Sequence, residues 1–162
     1  MSDINIENFK YIDSVLYICT FNAVRSPIAE CLTKRICGER VYVDSVGIAG
    51  SLSKVNPFAV SVMEETGLDL SNHTPKHYKD LDDTSFDLII CLSEEAYQAI
   101  KKQTGSNAVD AEYWTIFDPT TVAGNRENIM TSFREIRDEL EVKIKKRNAD
   151  YREARAKFRK FN

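Results

Sequence analysis

Apolar positions along the chain fall into two patterns, short unbroken runs and longer stretches of helical spacing. Val15-Leu16-Tyr17-Ile18-Cys19 is an unbroken run closed by a polar turn, the signature of a strand buried on both faces. Val41-Tyr42-Val43-Asp44-Ser45 and Phe86-Asp87-Leu88-Ile89-Ile90-Cys91 read the same way, and Val109, Tyr113 and Trp114 mark a fourth segment. The predicted strands therefore cover about 14–19, 41–45, 86–91 and 109–115. Between them, Ile28, Cys31, Leu32 and Ile36 share one helical face over about 27–37. Phe58, Val62 and Met63 do so from Pro57 to Gly67, with Gly67 as a C-terminal cap. A third helix spans Glu94 to Thr104 and stops at Gly105. The last begins near Asn125, carries the stripe Phe133, Ile136, Leu140 and Ile144, and can extend it through Tyr151, Phe158 and Phe161. Residues 1–13 lead in, with Phe9 and Tyr11 as docking residues, and 68–85 form an irregular connection.

Strands alternating with helices predict an α/β fold, a four-stranded parallel sheet with helices on both faces and right-handed crossovers. Ligands of such sheets bind at the carboxyl ends of the strands, here just past residue 19. With 162 residues and no linker, the expectation is one domain over 1–162, with a core of about 14–147 and a C-terminal extension at 148–162.

Composition narrows the class. A formal net charge of −3, no run of 18 apolar residues and no signal-like start predict a soluble, cytoplasmic protein. The four cysteines (Cys19, Cys31, Cys37, Cys91) form no C-x-x-C pair, and the two histidines (His73, His77) form no ligand motif, so neither disulfide, metal nor cofactor is expected. Residues 141–162 carry nine basic and three acidic side chains, a local +6 that leaves −9 on the remainder. A solvated helix end is the expected reading, an acidic partner the alternative; nucleic acid and membrane are not expected partners.

The chemistry concentrates in Cys19-Thr20-Phe21-Asn22-Ala23-Val24-Arg25-Ser26-Pro27. A strand ends at a thiol, a short loop follows, and Ser26-Pro27 opens a helix, since Pro is preset for the first turn. Such a loop aims several backbone N–H groups at one point beside the positive end of a helix, an anion cradle. Arg25 can grip two phosphate oxygens in a fork. N–H groups and a guanidinium favour the thiolate of Cys19, a nucleophile aimed at phosphorus. A proton donor for the leaving oxygen is still needed; Asp118, held extended before Pro119, is the candidate, although an Asp-Pro pair taken alone is a turn.

These residues resemble the low-molecular-weight protein tyrosine phosphatases, whose loop reads V-C-x-G-N-x-C-R-S-P. The resemblance covers about residues 14–147 and implies their four-stranded parallel fold. It implies Cys19 as nucleophile, Arg25 as phosphate clamp, and Asp118 as general acid that later activates water. Ser26 would hydrogen-bond the thiolate, and Asn22, Ser45 and His73 would brace the loop formed by Thr20, Phe21, Asn22, Ala23 and Val24. The implied activity is phosphomonoester hydrolysis through a cysteinyl-phosphate, on a phosphorylated protein or small aryl phosphate, with inhibition by phosphate or vanadate. Phe21 departs from the family's Gly and Val24 from its second Cys, which removes a protective vicinal disulfide. Thr120 and Thr121 follow Asp118-Pro119 where aromatic residues usually wall the phenyl slot. The loop at 47–56 also lacks the usual opposite wall, and Phe21, Phe58 or Tyr113 are the candidate substitutes. A related thiol-coupled arsenate reductase shares the loop and a Cys ending the third strand, matched by Cys91; its thioredoxin-linked form needs another seven residues on, where this chain has Gln98. A protein-arginine phosphatase would have Thr where Ala23 stands. A non-catalytic phosphate-binding module would have no use for both a thiolate and a proton donor.

Overall fold

The protein, described by a computed structural model over residues 12–50, 52–104 and 110–160, is built on four parallel strands in the order β2-β1-β3-β4. These are β1 (Ser14–Cys19), β2 (Tyr42–Gly47), β3 (Leu88–Cys91) and β4 (Asp110–Tyr113). The helices are α1 (Arg25–Cys37), α2 (Pro57–Glu64), α3 (Glu94–Thr104) and α4 (Arg126–Lys160). The apolar run of β1 has no polar face because the strand is central and covered twice. Val15, Tyr17 and Cys19 face Ile28, Leu32, Val62, Phe133 and Leu140 of α1, α2 and α4. Leu16 and Ile18 face Ala96 and Ile100 of α3. Each fully buried Leu, Ile or Phe here contributes about 1.5–3 kcal/mol relative to exposure.

Element boundaries moved for local reasons. β2 continues two residues past the predicted end, because Val46 and Gly47 still pair with Ile18 and Cys19. β3 starts at Leu88 instead of Phe86: the Asp87 carboxylate accepts from the backbone N–H groups of Asp13 and Ser14, 2.8 and 3.2 Å away, and Phe86 stacks on Tyr42. α2 ends at Glu64, and a tightened turn brings the chain to Gly67, whose φ of +80° confirms it as the cap. The irregular connection holds one 3-10 turn, Tyr78–Asp80. α1 begins at Arg25, two residues early, because the Val24 carbonyl already accepts from Ile28 N–H at 3.1 Å. The long last helix expected from near Asn125 is α4, one helix from Arg126 through Lys160, about 52 Å long at 1.5 Å per residue. Phe9, Tyr11, Gly105, Val109 and Phe161 lie outside the described residues. No helix among those described is long and apolar enough to cross a membrane.

Candidate active site

The end of β1 and the start of α1 place Cys19 and Arg25 on either side of one tight loop. No side chain caps α1, which leaves its first-turn N–H groups to a ligand. Asn22 turns the loop with φ +56°, and among the described residues it is the only non-glycine residue with positive φ, a conformation Asn tolerates better than most. Phe21 therefore needs no glycine-like backbone; the family's Gly position here accepts a side chain that points outward and is 47% exposed. The backbone of Phe21 is nevertheless crowded from below. A Cβ on Gly47 would sit 2.3 Å from the Gly50 carbonyl oxygen and 2.8 Å from the Phe21 carbonyl carbon, so glycine is required there for close approach.

Asn22 is fully buried and its amide makes four hydrogen bonds. Its Nδ2 donates to Ser26 Oγ at 2.8 Å and to Ser45 Oγ at 2.9 Å. Its Oδ1 accepts from Lys76 N–H at 2.9 Å and from His73 Nε2 at 3.0 Å. Burial pushes the His73 imidazole below its ordinary pKa, with the nearby Glu30 charge opposing. Ser45 Oγ passes its own proton toward Glu30 Oε1, 2.7 Å away. The directions follow from two fixed groups, a carboxylate that only accepts and an amide Nδ2 that only donates. Ser45 gives its hydrogen to Glu30 and so accepts from Asn22; Ser26 likewise accepts from Asn22, leaving its hydrogen for Cys19 Sγ at 2.8 Å, with the Val46 carbonyl a more distant acceptor at 3.4 Å. The Asn22 backbone N–H also points at Cys19 Sγ, 3.3 Å away. Glu30 and Lys76 were not evident in the sequence as site residues. Glu30 does lie one helical turn from Ser26, the signal that could have found it.

Arg25 is 8% exposed, and its Nη1 donates to the carbonyls of Leu92 and Ile116 at 3.2 and 3.1 Å, just beyond β3 and β4. Nη2 donates to Thr20 Oγ1 at 3.2 Å and lies 3.9 Å from Asp118 Oδ2. Asp118 has the extended backbone predicted for a residue before Pro (φ −88°, ψ 104°) and begins the 3-10 turn Pro119–Thr121. Thr120 binds Asp118 Oδ1 through both its N–H (3.0 Å) and its hydroxyl (2.7 Å), which turns Oδ2 toward Arg25. This Thr, a departure from the aromatic pattern, aims the carboxylate. Cys19, Arg25, Asp118 and Thr120 line one cavity of about 360 Å³, together with Phe21, Ala23, Val24 and Leu52. Of the substitutes considered for the missing aromatic wall, Phe21 is in place. Phe58 packs on Phe133 and Tyr113 stacks on Tyr97, neither at the cavity.

Cys91 does not join the site. It sits on the α3 face of the sheet with Ile18 and Ile89, whereas Cys19 belongs to the opposite face. Burial alone pushes the Cys91 thiol up to about 12, so it stays protonated. The period-two alternation of strands fixes this separation, because Cys91 pairs with Ile18 in register. Cys91 thus ends β3, as the resemblance to the arsenate reductases implies, while its thiol lies across the sheet from Cys19. Among the described residues no cluster of potential metal ligands occurs.

Comparison with known proteins agrees with this geometry. Residues 14–156 match the family described as low molecular weight phosphotyrosine protein phosphatase. An arsenate reductase of Bacillus subtilis (strain 168) is 33% identical over 135 residues, 81% of this chain and 91% of the relative. The solution structure of a low molecular weight protein tyrosine phosphatase from Bacillus subtilis superimposes with a TM-score of 0.70 at 25% identity, covering 88% of this chain and 99% of that one. An arsenate reductase in the phosphate-binding state gives 0.68 at 23% identity, covering 86% and 99%, and so shares the fold. Phosphatases and arsenate reductases of this group share one scaffold; by sequence match and by fold, the chain belongs to the low molecular weight phosphotyrosine protein phosphatase family.

Proposed function

We propose that the protein is a cysteine-dependent phosphomonoesterase acting on phosphotyrosine in proteins or on small aryl phosphates. The observation that carries this reading is the convergence of Cys19 Sγ, the Arg25 guanidinium and Asp118 Oδ2 on one cavity. In the first step the Cys19 thiolate attacks phosphorus and the P–O bond to the aryl group breaks, while Asp118 donates its proton to the leaving phenolate oxygen. Arg25 and the loop N–H groups hold the equatorial oxygens, and they act without reorganisation because Asn22 has fixed the loop. In the second step Asp118 takes a proton from water, the water oxygen attacks phosphorus, and the S–P bond breaks. The Ser26 hydroxyl then receives the developing thiolate. Phosphate leaves, and both phosphate and vanadate compete for the cradle.

Arsenate reduction is the second reading, favoured by the names of the relatives matched above. It requires a further thiol to reach Cys19 and carry electrons away. Cys91 faces away across the sheet, and position 98 is Gln. The chain is read as one catalytic domain over 1–162, working in a reducing compartment such as the cytoplasm, with the basic end of α4 as a solvated helix terminus. Steady-state hydrolysis of p-nitrophenyl phosphate and of a phosphotyrosine peptide by wild type and Cys19→Ser tests the proposal. Wild type cleaves both and Cys19→Ser neither, while Cys19→Ser still binds phosphate; turnover retained by Cys19→Ser would refute the mechanism.

A further inference from the structure

Thr120 and Thr121 follow Asp118-Pro119, and both bind Asp118. Thr120 donates to Oδ1 twice, from its backbone N–H at 3.0 Å and from its hydroxyl at 2.7 Å. Thr121 donates its hydroxyl to the main-chain carbonyl of Asp118 at 2.8 Å. Side chain and backbone of the candidate acid are therefore held by the same 3-10 turn, which buried Pro119 anchors to the body.

This mount selects the oxygen that can carry a proton. A carboxylic acid has one carbonyl oxygen, which only accepts, and one hydroxyl oxygen, which donates. A backbone N–H only donates, so the oxygen that meets it is the carbonyl one. Oδ1 meets the N–H of Thr120, and Oδ2 is left as the hydroxyl oxygen when Asp118 is protonated. Oδ2 lies toward Arg25, with Nη2 at 3.9 Å, beyond hydrogen-bond distance and free to face a substrate. The Asp118 side chain is 39% exposed, and a carboxyl group rotates readily about its last bond. Without the hydroxyl of Thr120, either oxygen could turn to the cavity or to solvent.

We propose that Thr120, buttressed by Thr121, is a positioning residue for the general acid, with Asp118 Oδ2 as the proton carrier in both steps. The assignment deepens the phosphatase reading and rests on it. In the first step the Oδ2 proton passes to the leaving oxygen as the P–O bond breaks and the Cys19 sulfur bonds to phosphorus. In the second, Oδ2 takes a proton from the attacking water, and the electrons of the S–P bond return to Cys19. Thr120 keeps both of its bonds to Oδ1 throughout, so the carboxyl does not rotate between steps. Positioning of this kind acts where a proton must move and leaves the phosphate cradle alone.

Two esters separate this role from general damage: phenyl phosphate, whose leaving oxygen needs a proton, and dinitrophenyl phosphate, whose leaving oxygen does not. In Thr120→Val, kcat/KM is expected to fall about five- to thirtyfold on the first and less than about twofold on the second, with inhibition by phosphate unchanged. Thr121→Val follows the same pattern at about two- to fivefold, and Thr120→Ser, which keeps the hydroxyl, stays within about twofold of wild type on both esters. In an Asp118→Asn background Thr120→Val adds no further loss, because no proton is left to aim. Equal losses on the two esters, no loss on either, or a Thr120→Ser variant as slow as Thr120→Val would overturn the proposal. A wild type that cleaves neither ester removes the hydrolase reading, and the mount is then decided by nuclear magnetic resonance. The Thr120 amide proton is expected to titrate with the Asp118 carboxyl in wild type and to lose that titration in Asp118→Asn; a wild-type amide that ignores the carboxyl refutes the mount.

Discussion

Asn22→Ala is the perturbation whose size the structure fixes best. The substitution deletes four hydrogen bonds at a residue with no exposed surface. At about 1 kcal/mol net for each bond, the loss is roughly 4 kcal/mol. Alanine in the left-handed region adds about 1–2 kcal/mol, because its Cβ crowds the carbonyl oxygen. A total of about 5 kcal/mol is a large part of the roughly 5–15 kcal/mol that stabilises a domain. At about 2–4 °C per kcal/mol for this size, the melting temperature falls by about 10–20 °C. Asn22→Gly separates the contributions, since it relieves the φ penalty and leaves the four bonds broken. Urea unfolding of wild type and both variants at neutral pH measures the differences. The Gly variant is expected between Ala and wild type and closer to Ala. A loss under about 1 kcal/mol in Asn22→Ala, or a Gly variant as stable as wild type, would refute the hydrogen-bond account. Turnover should fall further than stability explains, because Ser26 then has no donor that turns its hydrogen toward Cys19.

Asp118→Asn should slow an aryl phosphate with a poor leaving group by about 100-fold or more and one with a good leaving group far less, read as kcat across a series of phenols; equal slowing would remove Asp118 from the acid role. Gly47→Ala should cost at least about 2 kcal/mol in urea and depress turnover, since its Cβ meets the backbone of Phe21 and Gly50; an unchanged unfolding curve would show that the loop yields freely. Glu65 bridges α2 to α4 through Arg134 and Arg137, and the Arg134 hydrogen bonds foremost hold its carboxyl down to about 2. Its folded-state value lies below the unfolded one of 4.5, so its contribution is complete above that pH and disappears as pH falls through about 2. Because the pair is solvent-screened, Glu65→Gln should lower the melting temperature at pH 7 by only about 1–3 °C. That deficit should vanish near pH 2; a gap that persists there would mean the bridge acts through packing.

Local patterning was enough to specify the alternation of strands and helices, and with it the parallel sheet. Short apolar runs closed by a polar turn, such as Val15 to Cys19, read as strands covered on both faces, and helical stripes such as Phe133, Ile136 and Leu140 have one face to bury. It also placed Cys19, Arg25 and Ser26 together, because they lie within one strand-loop-helix unit whose geometry is local. Asp118 and the trio of Asn22, Ser45 and His73 came from family resemblance, since the trio meets across up to 51 positions, Asp118 meets Arg25 across more, and no local pattern encodes either.

The remaining features depend on contacts between segments far apart in the chain. Glu30 gains its meaning from the position of Ser45, a residue brought alongside by β2 pairing with β1. Thr120 is a turn residue in one dimension and the holder of a carboxylate in three. Cys91 looks in sequence like a redox partner of Cys19. Strand register sends the two thiols to opposite faces of the sheet, because successive residues of a strand alternate sides and pairing between neighbouring strands fixes which side each one takes.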